Sequence, residues 1–153
     1  MELLWQRLEG RSGHEAGRGL LAKLCGEPLP EIVLSKTGKP RFVTGAPHFS
    51  ISHTKNHVFC CISSKNIGLD AEEQGRSIDP RLAERYFSPG EAARCAAAEN
   101  PGDALLRLWV LKEAEAKRTG RGWGNYLRET DFDPADPRIL SIDGCFVAIL
   151  EDE

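Results

Sequence analysis

The chain has 153 residues, 41% of them hydrophobic and 28% charged, and carries a net charge of −3. Such a balance is that of a soluble globular domain able to bury one real core, and it provides no global basic field for nucleic acid, so any anion site must be a local cluster. No apolar run approaches the roughly 20 residues that span a bilayer, the start MELLWQRLEG does not read as a signal peptide, and five cysteines without a C-x-x-C pair point to reduced thiols in a cytoplasm.

In chain order, AGRGLLAKLC (16–25) is predicted to be a short helix stopped by Gly26, with Leu20, Leu21 and Leu24 on one side. EIVLS (31–35) reads as a strand and TGKP (37–40) as the turn after it. Three further strands are expected: HFSISH (48–53), HVFCCIS (57–63) and IGLDAE (67–72). Cys60 and Cys61 would then point to opposite faces, which argues against a metal pair. Asp79-Pro80 opens a helix over 80–86, and Ser88-Pro-Gly-Glu91 is a capping box for a helix through Ala98. Asn100-Pro-Gly-Asp breaks it. A long helix from about Asp103 to Thr119 follows, with Leu105, Leu108, Trp109 and Ala116 as its buried stripe and Lys112, Glu113 and Lys117 near the edge. RILSI-DG-CFVAIL is a hairpin on a two-residue Asp143-Gly144 turn. The order implies an α+β fold with a mostly antiparallel sheet.

Three groups of residues carry possible chemistry. Asp70 and Glu72, two apart on a strand, point the same way. They are either solvated acids, as Glu73 beside them would favour, or hard oxygen ligands of the kind Mg²⁺ takes. Glu113 and Lys117 have the spacing of an ordinary helix salt bridge, yet Arg107, Lys112, Lys117, Arg118 and Arg121 could hold a phosphate. His53 ends a strand, where it is either a satisfied histidine or a donor to an anion. With His57 it bridges two strands, a poor zinc arrangement. Ser52 and His53 diverge as strand neighbours and form no local nucleophilic dyad.

Taken in order, GKP (38–40), HFSISH (48–53), IGLDAE (67–72), FSPGE (87–91), WVLKEAEAK (109–117) and GRGW (120–123) resemble the 4′-phosphopantetheinyl transferase superfamily. The resemblance covers roughly residues 11–125 and looks like the surfactin-synthetase-activating type, a pseudo-dimer within one chain. It implies a pseudo-twofold fold of two small lobes, about 1–65 and 66–153, in one transferase domain. Each lobe would have an antiparallel sheet and a packed helix, the first being truncated and short of its N-terminal strand region.

The implied activity moves the phosphopantetheine arm of coenzyme A onto a serine of an apo carrier protein, releasing 3′,5′-ADP with the help of Mg²⁺. By family match Asp70, Glu72 and Glu113 would hold the metal, and Glu113 would also take the serine proton. Lys117 and His53 would meet phosphate, while Lys39 and Arg18 would sit near the 3′-phosphate and adenine. Glu91 matches a family glutamate, although its capping box explains it equally well. Trp109 and Phe87 read as packing anchors. Residues 76–86 (Arg76, Arg81 and Arg85 with Ile78 and Leu82) could receive an acidic carrier or be a solvated helix face. Two rival readings are a module that binds coenzyme A or a carrier without turnover, and another Mg²⁺-dependent phosphoryl-transfer enzyme.

Overall fold

A strand at the very start, β1 (Glu2–Arg7), precedes α1 (Gly13–Cys25), β2 (Ile32–Leu34), β3 (Pro40–Phe42), β4 (His48–His53), β5 (His57–Ser63) and β6 (Ile67–Glu73). Three helices follow, α2 (Pro80–Tyr86), α3 (Pro89–Ala97) and α4 (Pro101–Thr119), then a 3₁₀ turn (Asn125–Glu129) and the hairpin β7 (Ile139–Ile142) and β8 (Cys145–Glu151). This computed structural model describes residues 1–153. All strand pairs are antiparallel, in sheets ordered β1-β5-β4, β2-β3 and β6-β8-β7. The expected α+β class is the one observed. No helix is long and apolar enough to cross a membrane.

The elements stop and start where local chemistry dictates. Ser12 caps α1 by accepting from the Glu15 amide, and Ser88 and Glu91 form both halves of the α3 capping box. Asn100 caps α4 by accepting from the Asp103 amide, with Pro101 next in line. The segment expected to break the helices therefore opens the long one. Gly120, at φ +66°, closes α4 in the left-handed conformation. β1 was not expected. ELLWQR has no strict alternation, and its pairing from Glu2–Ile62 to Arg7–His57 comes from the partner strand rather than from local pattern.

Two helices sandwich two sheets. On β5, Val58, Cys60 and Ile62 pack with Leu20 and Leu21 of α1. Its other face, Phe59 and Cys61, packs with Leu69, Val147 and Ile149 of the second sheet. The two adjacent cysteines do face opposite ways. Phe146, Ala148 and Leu150, on the far face of β8, meet Leu108, Leu111 and Ala114 of α4. Helix α4 is buried over far more than one stripe: Leu106, Leu108, Val110, Leu111 and Ala114 are all at or below 1% exposure. Each such leucine is worth about 1.5–3 kcal/mol of burial. Leu105, expected in the stripe, is only partly buried.

Glycines set the closest approaches. A Cβ on Gly17 would stand 2.7 Å from Ile51, and one on Gly13 2.6 Å from the His53 ring, so α1 lies directly on β4. A Cβ on Gly68 would meet the Ala114 carbonyl at 2.1 Å and the Arg118 amide at 2.3 Å. Here the backbone of β6 rests on the backbone of α4. At one edge of the molecule the two halves are tied by charge. Arg7 grips Asp143 with two bonds of 2.7 and 2.9 Å, and His57 Nε2 reaches the same carboxylate at 2.8 Å.

Candidate active site

Strands β4 and β6 belong to different sheets, yet they are sewn together by serine hydroxyls. The Leu69 amide donates to Ser50 Oγ at 2.9 Å and the Ala71 amide to Ser52 Oγ at 3.2 Å. Ser52 in turn donates to Asp70 Oδ1 at 3.1 Å, and the Lys117 ammonium donates to the same oxygen at 2.8 Å. Asp70 is 5% exposed, and its Oδ2 is buried with no hydrogen-bond partner.

The contact at Gly68 brings the last turns of α4 over this aspartate. Glu113 and Lys117 both face it, and Lys117 pairs with Asp70 rather than with Glu113 four residues before it. Burial, reinforced by the Asp70 charge, pushes the Glu113 carboxyl up to about 7, against the opposing pull of Lys117 and the Trp123 side chain. Burial also raises Glu72, which Arg76 partly offsets as its ion-pair partner. Three acids thus influence one another in a site that offers them little water.

Beside them lies a cavity of about 410 Å³ between the two halves of the chain. His14 and Arg18 of α1, His53 of β4 and the 37–40 turn line one side; Glu113, Lys117 and Trp123 line the other. The Thr37 hydroxyl donates to the Gly120 carbonyl and joins the two walls. Trp123 is stacked on Trp109 with centroids 4.6 Å apart, and Tyr86 meets it edge-on at 4.6 Å. Trp109 and Phe87 are buried at 7% and 2% exposure, as packing anchors should be.

The structure brings Arg18, Lys39, His53, Glu113 and Lys117 to one cavity, with Asp70 directly behind Lys117. Lys39 is also tied into the fold. Its ammonium has three acceptors, Asn66 Oδ1 at 2.6 Å, the Arg118 carbonyl at 2.7 Å and the Ile67 carbonyl at 3.2 Å. It braces the 37–40 turn against β6 and α4, and its three donors are committed to protein.

The cation cluster thins out for the same reason. Lys112 is wholly buried against Glu91 at 2.8 Å, Arg107 pairs with Asp103, and Arg118 pairs with Glu115 and Asp152. Arg121 lies over the Tyr126 ring. That leaves Lys117 as the α4 cation on the cavity. Glu91 is both cap and ion-pair partner, with 0% exposure. Of the 76–86 stretch, Ile78 is buried, Arg76 holds Glu72 and Arg81 holds Asp79, while Leu82, Glu84 and Arg85 are exposed, Arg85 lying over the Tyr86 ring.

The residues fit a hard divalent cation. Asp70 presents a buried oxygen without a donor, and Glu72 and Glu113 are acids whose charged forms burial disfavours, against the pull of Arg76 on the first and Lys117 on the second. No three His, Cys, Asp or Glu side chains stand together as a group able to hold a metal ion by themselves. Mg²⁺ needs none, since it is usually held by one or two carboxylates with water and substrate phosphates completing the octahedron.

Sequence reasoning missed His14, Trp123 and the seam serines. Ser52 belongs to the quoted HFSISH motif, but its role requires β6 beside β4, which no local pattern encodes. Proximity of Gly13 to His53 was equally hidden.

A family profile described as the 4′-phosphopantetheinyl transferase superfamily matches residues 66–147. The 4′-phosphopantetheinyl transferase AcpT of Salmonella typhimurium is 36% identical over 145 residues, 88% of this chain and 71% of that protein. AcpT of Escherichia coli K12 is 36% identical over 139 residues, covering 85% and 67%. A 4′-phosphopantetheinyl transferase of Bacillus subtilis is 37% identical over 90 residues, 56% of this chain and 39% of its own length. With more than half the chain inside the family profile and an extended relative at this identity, the chain belongs to the 4′-phosphopantetheinyl transferase superfamily, a family of transferases.

Proposed function

We propose that this chain transfers the 4′-phosphopantetheine arm of coenzyme A to a serine of an apo acyl, polyketide or peptidyl carrier protein in the cytoplasm, with Mg²⁺, releasing 3′,5′-ADP. The observation that carries the reading is the cavity where Arg18, His53 and Lys117 meet Glu113, beside an aspartate with a free buried oxygen. Asp70, Glu72 and Glu113 are the residues that would hold the metal. When bound, Mg²⁺ supplies charge neutralisation at the pyrophosphate.

The remaining work falls to the chain. Glu113, made a stronger base by the burial that raises it to about 7, accepts in its carboxylate form the proton of the carrier serine, directly or through water. The serine oxygen bonds to the phosphorus bearing the pantetheine ester, the bridging P–O bond breaks, and 3′,5′-ADP leaves with the electron pair. Lys117 moves from Asp70 towards the phosphate charge, and His53 and Arg18 hold the nucleotide end by donating to its anionic oxygens. Lys39 acts as a brace for the cavity wall. The two halves, about 1–65 and 66–153, are read as pseudo-twofold lobes, since each has a three-stranded antiparallel sheet backed by a helix.

The test is incubation of the protein with coenzyme A, Mg²⁺ and apo carrier domains, read by mass spectrometry. A carrier gain of one phosphopantetheine, abolished by Asp70→Ala, is the expected result. Coenzyme A binding with no gain on any carrier would overturn it in favour of a binding module.

A further inference from the structure

Two serines of β4 perform the same seam chemistry, but only one touches an acid of the site. Ser50 and Ser52 each accept an amide hydrogen from β6, at 2.9 and 3.2 Å, and both are buried, at 7% and 6% exposure. Ser52 alone also donates, to Asp70 Oδ1 at 3.1 Å. Its hydroxyl hydrogen is thereby fixed, because the lone pair facing β6 is taken by the Ala71 amide. Lys117 reaches the same Oδ1 at 2.8 Å, so both donors converge on one oxygen, and Oδ2 is left without a partner. A carboxylate held this way cannot rotate without breaking the Ser52 bond.

We propose that Ser52 is a positioning residue that fixes the Asp70 carboxylate so that Oδ2 remains the free oxygen presented to a divalent cation. The proposal rests on the Mg²⁺ reading above. Its chemistry is that of an outer-shell hydrogen bond, which orients a ligand and whose loss typically weakens metal binding about 10–100-fold. Lys117 cannot substitute, since phosphate draws its ammonium away during the reaction while Ser52 is fastened to the β6 backbone. The contact also ties the site to the seam, so the two halves must be docked for the aspartate to be aimed.

The test is Mn²⁺ titration of the full chain with coenzyme A present, followed by the EPR signal of free Mn²⁺, alongside thermal unfolding. Asp70→Asn should abolish the tight binding seen in the parent. Ser52→Ala should raise the Mn²⁺ dissociation constant by about tenfold or more. Ser50→Ala, which breaks the neighbouring seam bond without touching Asp70, should lower the melting temperature comparably but keep the parental Mn²⁺ affinity.

Parental affinity in Ser52→Ala, or equal losses in both serine variants, overturns the positioning role and leaves the Mg²⁺ reading standing. Binding that is absent in the parent or untouched by Asp70→Asn overturns both. Should Ser52→Ala fail to fold, Ser52→Cys, with its longer and weaker hydrogen-bonding group, is read against the same outcomes.

Discussion

Replacing Lys112 by Met removes the fully buried cation between α3, α4 and the 127–132 segment. The ammonium has four acceptors around it: Glu91 Oε1 at 2.8 Å, Thr130 Oγ1 at 2.8 Å, the Thr130 carbonyl at 2.9 Å and the Leu127 carbonyl. After Lys112→Met the Leu127 carbonyl keeps the Thr130 hydroxyl at 2.8 Å, and Glu91 keeps the Ser88 and Phe132 amides, each at 2.8 Å. What is lost falls on the Thr130 carbonyl and on a wholly buried carboxylate without its counter-ion. An orphaned acceptor costs about 1–3 kcal/mol, and breaking a buried ion pair about 3–5 kcal/mol. The two surviving amide bonds on Glu91 place the expected loss at the lower end, about 3 kcal/mol. In urea unfolding followed by far-UV circular dichroism, that moves the midpoint down by roughly 1–2 M at unchanged slope. A single-variant loss below about 1 kcal/mol would refute the assignment of this pair as the anchor of α4.

Gly68→Ala drives a methyl into the α4 backbone and should cost at least about 1–3 kcal/mol. It should also weaken Mn²⁺ binding, because it displaces β6 two residues from Asp70; parental stability and metal affinity together would contradict the close packing. Asp143 is held well below the usual carboxylate range by Arg7 and then His57. With its folded-state value depressed, the unfolded chain binds the proton first, so this stabilisation is present above about pH 4 and is lost as pH falls through lower values. Asp143→Asn should therefore flatten the fall in melting temperature between about pH 4 and 2; an unchanged slope argues against the tie. Burial raises all five cysteine thiols, Cys61 to about 12 and Cys145 to about 11. Cys25, the only one that is not buried, should react first with a thiol reagent under native conditions, with the other four following only on unfolding. Rapid native labelling of Cys60 or Cys61 would contradict the packing of β5.

The acids and Lys117 were legible in the sequence because strand and helix periods alone decide which way they point. Asp70 and Glu72 share one side of β6, and Glu113 and Lys117 one side of α4; that they should meet was implied only by the resemblance that six motifs in order carry. Lys112 was misread as an edge residue, and the three acceptors around the Lys39 ammonium were not foreseen. A lysine's charge says nothing about whether a glutamate or three carbonyls will arrive from elsewhere in the chain to neutralise it. β1 and the serine seam were hidden for a related reason. Both owe their hydrogen bonds to strands distant in sequence, and tertiary pairing of that kind leaves no local periodicity.

The stacked indoles on the cavity wall give the molecule an optical property of its own. Trp109 and Trp123, 4.6 Å apart and 26° from coplanar, are close enough for their electronic transitions to mix, while Trp5 sits apart on β1 beside Phe59. One member of the couplet lines the cavity and the other is embedded in the core behind it. On the proposed function a nucleotide in the cavity would perturb the outer ring and leave the inner one fixed, so the near-ultraviolet dichroism of the native chain should change shape on titration with coenzyme A. The protein needs no attached dye to report the filling of its own site.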